Sequence, residues 1–406
     1  MNGKKLIYLD NAATSFHKPP QVVDAMVHYM RHVGANPGRA GHPLALEAER
    51  IVETARENLA QLFNIPDASR ISFALNVTEA LNTVIHGFLS PGDHVVTTAM
   101  EHNSVMRPLT CLRERGDIAL DIAPCDHKGF LDVDGLARLL RKDTRLVVVN
   151  HASNVCGTLQ DIATVRNAIG DIPLLLDTAQ TAGVVPIDVG APIIDFLAFT
   201  GHKGLMGPQG TGGLYVRNGL SLRPLKQGGT GTRSETLRQP ENMPDALESG
   251  TRNNVGIAGL GAGVRFILDE GVATIWRHEQ LLTKALLDGI FDLQRVSIHG
   301  PLNPEKQVAV VSIRFDDTLS NGDAEGGSGC GAINLEWFED GVPMTEAAET
   351  LSTRDNILVR VGLHCAPLAH QTLGTFPDGT IRLSMGYFNT LQDIESAVQA
   401  IRRIAR

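Results

Sequence analysis

Aromatic side chains are scarce in this chain: they make up 5% of 406 residues, with only two tryptophans. Cysteine is scarce too, five in number and scattered as Cys111, Cys125, Cys156, Cys330 and Cys365. So few, so widely spaced and odd in count, they exclude a disulfide framework of the kind that staples small secreted domains. No Cys-x-x-Cys pair and no His-Glu-x-x-His helix is written anywhere, which removes the common zinc signatures. Long apolar runs are also missing. Met1-Asn2-Gly3-Lys4-Lys5 leads straight into Leu6-Ile7-Tyr8-Leu9-Asp10, without the apolar stretch of a signal peptide or a membrane span. A cytoplasmic chain with no membrane partner is the expectation. Positive charge is in deficit, 36 Lys and Arg against 45 Asp and Glu, for a net charge of -9. Phosphate-backbone binding leaves a basic footprint, so nucleic acid is not expected as the principal partner.

What is present describes an ordinary globule, 43% hydrophobic and 20% charged, long enough for two domains. From Arg70 to Arg217 apolar strands alternate with amphipathic helical stretches. The strands are Ile71-Ser72-Phe73-Ala74-Leu75, His94-Val95-Val96-Thr97-Thr98, Leu146-Val147-Val148-Val149, Leu174-Leu175-Leu176 and Asp195-Phe196-Leu197-Ala198-Phe199. Near-continuous apolar strands belong to a parallel or mixed sheet covered on both faces, an α/β fold. After Gly250 the pattern changes to a long helical region reaching about Phe291, then two strands near Val296 and Val310, and a closing helix from Leu391 to Ala405. The expected division is a large domain over residues 15–255 and a smaller α+β domain from residues 1–14 and 256–406. Gly259, Gly261 and Gly263 imitate part of a dinucleotide fingerprint but follow no strand, so close helix packing is the reading. The glycine-rich segment from Asn321 to Gly331 reads as a mobile loop, and Cys330 within it as either a second accessible thiol or an inert one.

Chemistry gathers at strand ends. Leu174-Leu175-Leu176 runs into Asp177-Thr178-Ala179-Gln180, and the following strand runs into Thr200-Gly201-His202-Lys203-Gly204. A lysine amine and a carboxylate at neighbouring strand ends match the needs of pyridoxal phosphate. Its aldehyde condenses with an amine, and its ring nitrogen stays protonated against an acid partner. Asn76-Val77-Thr78-Glu79 ends another strand and opens a helix, where free amides and the helix dipole suit a phosphate. Thr200 and His202 can add to that site. Glu101-His102-Asn103 puts an imidazole at the same edge, able to stack on a ring or move protons. Asn154 leaves a strand where its amide can meet a cofactor hydroxyl or a substrate carboxylate, an Asx-turn being the competing reading. Arg382 can hold an amino-acid carboxylate through two parallel hydrogen bonds. In Arg360-Val361-Gly362-Leu363-His364-Cys365-Ala366-Pro367 a thiol beside an imidazole can become a thiolate that attacks sulfur or selenium.

In this order, Leu9-Asp10-Asn11-Ala12-Ala13-Thr14, Thr78-Glu79, Glu101-His102-Asn103, Ser153-Asn154-Val155, Asp177-Thr178-Ala179-Gln180, Gly201-His202-Lys203, Glu248-Ser249-Gly250-Thr251 and the Cys365 loop resemble class V aminotransferase-fold enzymes. The resemblance runs nearly the whole chain, and is closest to group II cysteine desulfurases and bacterial selenocysteine lyase-like proteins. It implies a type I pyridoxal-phosphate fold, with a large domain built on a mostly parallel seven-stranded sheet. It also implies a homodimer with cofactor sites at the subunit interface. By the same resemblance Lys203 forms the Schiff base, Asp177 pairs with the ring nitrogen, Gln180 contacts the ring hydroxyl and His102 stacks. Thr78, Thr200 and His202 hold the phosphate, with Val77 standing where many relatives have a second hydroxyl. Thr251, Arg39 and His42 reach a neighbouring subunit's site, while Asn154 and Arg382 hold the substrate carboxylate with Arg360 nearby. The implied reaction takes sulfur or selenium from cysteine or selenocysteine to leave alanine, by attack of Cys365 on the chalcogen. A chalcogen acceptor protein is the implied partner. A selenocysteine-specific lyase, a class V aminotransferase and a cofactor-binding regulatory module stand as alternatives.

Overall fold

The computed structural model describes residues 5–38, 41–231, 235–316 and 342–406. Its centre is a seven-stranded sheet in the order Ile71–Ala74, Gly212–Val216, Phe196–Thr200, Leu174–Asp177, Thr144–Asn150, His94–Thr98, Ala119–Ala123. Gly212–Val216 is antiparallel to both neighbours, and every other pairing in the sheet is parallel. The β-branched and leucine-rich strands are apolar on both faces because both are covered. Leu174 and Leu176 join the core with Leu59, Phe199, Leu260 and Val264, whereas Leu175 points the other way, to Leu81, Ile85, Leu109 and Phe196. The two-residue period of the strand thus fills two cores at once. Its second consequence concerns the site: the polar ends Thr98, Asn150, Asp177 and Thr200 all leave the sheet at one edge, where open α/β sheets place their ligands.

A second sheet is antiparallel throughout, in the order Arg360–Gly362, Thr380–Ser384, Val310–Phe315, Val296–His299. The helices Val272–Ile290, Met344–Asp355 and Leu391–Ile404 share its core through Leu282, Leu286, Leu351, Ile394 and Ile401. The closing helix starts with a reciprocal capping box, Thr390 taking the Asp393 amide and Asp393 the Thr390 amide. The chain's first strand, Ile7–Tyr8, pairs in parallel with Ile357–Leu358, and Leu9 is buried in the same core. That brings Asp10 beside the strand carrying Arg382.

The helical region after Gly250 is two helices, not one. Asn254–Glu270 starts where the Asn253 side chain accepts from the Gly256 amide, and it ends at Gly271, whose φ of 81° only glycine adopts without strain. Val272–Ile290 follows directly. The glycines of the first helix allow close packing: a Cβ on Gly261 would lie 2.8 Å from the Ala55 Cβ, and one on Gly263 2.6 Å from the Leu205 carbonyl. No described helix is long and apolar enough to cross a membrane.

Helix Val272–Ile290 also buries Glu279, whose carboxyl is pushed up to about 8 by burial. An acid raised in the folded state binds its proton there while the unfolded chain has lost it. Its folding contribution is therefore intact below the ordinary glutamate range and declines as pH rises towards 8. Glu279→Gln is expected to stabilise the fold on the order of a few kcal/mol near pH 8.5 and little near pH 5, as thermal melts at the two pH values will show.

Candidate active site

Lys203 follows the strand Phe196–Thr200 by three residues, and Asp177 is the last residue of the neighbouring strand. Asp177 is buried, and burial pushes its carboxyl up, opposed by the Ala179 amide at 2.9 Å and by the Lys203 ammonium. The Lys203 ammonium is pushed down to about 8, first by burial and then by Arg382 and Arg360, with Asp177 and Asp10 pulling the other way. A lysine tuned this way holds a useful fraction of free amine near neutral pH. The loop that presents it is tied to the N-terminal segment: the His202 carbonyl accepts from the Ser15 amide at 3.0 Å and from the Thr14 hydroxyl at 3.1 Å. A cavity of about 50 Å³ opens beside Lys203, lined among others by Asn11, Gln180, Glu279 and Ser384. Gln180 donates to the Ala12 carbonyl at 3.2 Å.

The anion end lies on the same edge. Asn76 accepts from the Glu79 amide at 2.9 Å and so caps the helix Val77–Phe88, while Ala80 bonds the Asn76 carbonyl. The cap reading and the anion reading therefore coexist, since the amides of Val77 and Thr78 have no bond among the described residues. Thr200 Oγ1 and His202 Nδ1 are buried without a partner among the described residues. Buried polar atoms are ordinarily paired. Two orphans in the turn leading into Lys203, beside an open helix N-terminus, fit the phosphate and aldehyde ends of pyridoxal phosphate. His202 is pushed down to about 4 by burial, Lys203 and Lys18, so it is neutral and able to donate or accept.

Opposite stand His102 and the cysteine loop. His102 caps the helix Asn103–Glu114 by accepting from the Ser104 amide at 3.1 Å, and burial, then Lys203, Arg107 and Arg382, push it down to about 4. The next amide, Asn103, donates to the Cys365 carbonyl at 2.8 Å. Asn154 donates its side-chain N–H to the His364 carbonyl at 2.7 Å, leaving its Oδ1 buried and unpartnered among the described residues. Its amide thus works partly as a strut for the loop rather than only as a ligand group, and no Asx-turn forms. These bonds hold His364 at φ 48° and Cys365 at φ 59°, two consecutive left-handed residues that are not glycine. Such backbone costs roughly 1–3 kcal/mol per residue and persists only where the surroundings fix it. The product is an exposed thiol on a fixed loop. The other described cysteines differ: burial pushes Cys125 up to about 12, Cys156 is buried against Thr158 Oγ1 at 3.0 Å, and Cys111 is exposed on a helix.

Arg382 is buried and already engaged. It donates to the Asn154 carbonyl at 3.0 Å and to Asp10 Oδ1 at 2.7 Å, and its Nε is buried without a partner among the described residues. Arg360 lies across the ladder from it, 3.9 Å from Asp10 Oδ2. Thr251 is exposed in a crevice shared with Leu75, Glu79 and Lys226, and His42 is exposed and caps the helix Pro43–Leu62 at the Ala45 amide, 3.2 Å. Neither approaches Lys203 in its own chain by any bond. Arg39, Cys330 and the glycine-rich segment lie outside the described residues.

Three groups escaped the reading of motifs. Asp10 stood in a quoted motif without a role. Glu101 is buried, accepts from Thr98 and from the Asn150 amide at 2.7 and 2.9 Å, and is pushed up to about 8 by burial. Glu279 sits in a helix as an unremarked glutamate, although an acidic residue within an otherwise apolar helical stripe, Ile275, Leu282 and Leu286, was a usable signal.

A seven-stranded α/β sheet with a lysine and a buried aspartate at adjacent strand ends defines the class, a pyridoxal-phosphate enzyme of the type I fold. A family model described as aminotransferase class-V matches residues 7–396. The chain belongs to that family, whose members depend on pyridoxal phosphate. It is 33% identical over 98% of its length to a probable cysteine desulfurase of Methanothermobacter thermautotrophicus, covering 94% of that protein. It is 32% identical to a probable cysteine desulfurase of Mycolicibacterium paratuberculosis, of whose longer chain it spans 56%. The solved apo cysteine desulfurase of Thermococcus onnurineus superposes with a TM-score of 0.86 at 31% identity, over 98% of this chain and 94% of that one.

Proposed function

We propose that this chain takes sulfur from L-cysteine and releases L-alanine, with pyridoxal phosphate held by Lys203 and the sulfur received by Cys365. The observation that carries the reading is the exposed Cys365 thiol on a strained loop, fastened to Asn103 and Asn154 at the sheet edge that also carries Lys203 and His102. Thr78, Thr200 and His202, with the amides of Val77 and Thr78, would hold the phosphate, Asp177 the ring nitrogen and Gln180 the ring hydroxyl. When bound, the cofactor supplies a sink for the electrons left at the substrate Cα.

The residues do the rest. Arg382 and the free Oδ1 side of Asn154 orient the amino acid, whose carboxylate the guanidinium can take through Nε. Lys203, a fraction of which is free of its proton near neutral pH, removes the Cα proton. The Cys365 thiolate attacks the substrate sulfur; the S–Cβ bond breaks, its electrons stay with carbon, and two protons returned to carbon complete alanine. Cysteine plus the Cys365 thiol thus gives alanine plus a Cys365 persulfide, in balance. Neutral His102 can carry one of those protons.

The same site would accept selenocysteine, and a protein acceptor would then remove the chalcogen from Cys365. Thr251 and His42, both exposed and with no bond to their own Lys203 among the described residues, fit a homodimer in which they serve the neighbour's site. The reading also divides the chain as residues 15–255 and the flanking segments 1–14 and 256–406. Supplying the holoenzyme with cysteine and selenocysteine in parallel tests it: alanine from cysteine, with a persulfide found by mass on Cys365, is the expected result. Alanine from selenocysteine alone would leave a selenocysteine lyase, and mercaptopyruvate in place of alanine, formed when a 2-oxo acid is added as amino acceptor, would leave an aminotransferase.

A further inference from the structure

Asp10 lies where two strands meet. The Leu9 amide donates to the Leu358 carbonyl at 2.8 Å, and the Leu9 carbonyl accepts from the Ser384 amide at 2.7 Å. The carboxylate is thereby pinned between Arg360 and Arg382, which face each other across one antiparallel pair of strands. Arg382 is almost wholly covered, with 3% of its side chain exposed, and donates to Asp10 Oδ1 at 2.7 Å. Arg360 is 48% exposed and stands 3.9 Å from Asp10 Oδ2, a distance for attraction without a hydrogen bond. A single acid therefore has one partner engaged and a second in waiting.

A guanidinium taken out of water needs an anion. Before an amino acid arrives, Asp10 is that anion, and its oxygen occupies one of the N–H groups that a carboxylate would use in a two-bond clasp. The adjacent Nε is buried and empty. A substrate carboxylate that takes Nε and the terminal nitrogen together must displace Asp10, and the nearest cation to receive the displaced acid is Arg360. Resting on the proposed role of Arg382 as carboxylate seat, we propose that Asp10 is a built-in stand-in for the substrate carboxylate, which on binding passes Asp10 from Arg382 to Arg360. Arg360 is then a positioning residue that receives Asp10, and not a ligand of the substrate.

The test uses L-alanine, which has the carboxylate and amine but no thiol, titrated into the full-length holoenzyme by calorimetry. Asp10→Asn removes the competitor, and alanine is expected to bind several-fold more tightly, up to about tenfold for a coupling of ordinary size between touching groups. Arg360→Ala removes the receiving site and weakens alanine binding by a similar factor. In the Asp10→Asn background the Arg360 change loses most of its effect, because nothing remains to be received. Alaninamide, which lacks the carboxylate, gains nothing from Asp10→Asn. Weaker alanine binding in Asp10→Asn, or an Arg360→Ala loss that persists undiminished in the double variant, would overturn the exchange. Arg382→Ala binding alanine as tightly as the wild type would instead remove the underlying carboxylate seat. Because Asp10→Asn leaves a buried cation unpaired and its folding is at risk, a crystal structure of the wild type with L-alanine is the variant-free arm. It is expected to show Asp10 on Arg360, and Asp10 still bonded to Arg382 would refute the proposal.

Discussion

Lys203→Ala is expected to lower alanine formation from cysteine on the order of 10⁴-fold or more, because one amine serves both as the covalent anchor of the cofactor and as the base at Cα. Borohydride treatment followed by mass measurement separates the two roles. The wild type retains the cofactor's mass on Lys203, while the variant loses it even at saturating cofactor. The pH dependence has a definite sign. Burial and the nearby arginines favour the neutral amine and push Lys203 down to about 8, so covalent loading of cofactor-free protein accelerates as pH rises to about 8 and then levels. Asp177→Asn tests the opposing influence. Without that carboxylate the ammonium loses a stabilising neighbour, and the midpoint moves lower. A loading rate that kept climbing to the ordinary lysine range would show that the buried environment does not act on the amine.

The parts of this site legible in the sequence are those written as strand ends. Buried parallel strands must be apolar on both faces, so the polar residues that end them, Asp177 and Thr200, announce the sheet edge on their own. Adjacency of the two strands follows from short right-handed crossovers, which bring Lys203 towards Asp177 without further information. The pairings that cross the chain are different. Asp10 and Arg382 are 372 positions apart, and Asn154 and His364 are 210 apart. Such contacts are fixed by how the second sheet docks, for which no local pattern speaks. Asn154 could therefore be read as a ligand residue but not as the strut of the cysteine loop. Gly212–Val216 is similar: its two glycines blur the strand pattern, so it stands outside the strands expected from the sequence, and its insertion between Ile71–Ala74 and Phe196–Thr200 is a matter of topology. Glu279 and Glu101 escape because a glutamate in a sequence is read as solvated, and only packing shows that it is not.

Cys365→Ser is expected to abolish the persulfide and to lower alanine formation from cysteine by at least about 10²-fold, with cofactor loading on Lys203 retained. Serine keeps the size and the loop's bonds, since the Asn103 amide grips the backbone carbonyl and not the sulfur. An alcohol cannot receive sulfur as a persulfide, so the substrate's S–Cβ bond has no nucleophile to take the departing atom. Selenocysteine should suffer less, because the weaker carbon–selenium bond breaks more readily and selenium, the softer electrophile, is taken by weaker nucleophiles, its bond electrons still staying with carbon. Parallel rates on the two amino acids therefore report how far bond breaking depends on attack at the chalcogen. Equal losses on both would mean that the variant has disturbed the site rather than the nucleophile. Undiminished alanine from cysteine would remove Cys365 from the reaction, and the left-handed backbone at His364 and Cys365 would then need another explanation. Cys365→Ala, which cannot hydrogen-bond through its side chain, closes the argument: if serine and alanine lose the same factor, the lost group is the attacking sulfur, and the strained loop serves to hold it out from the fold at a fixed place beside His102.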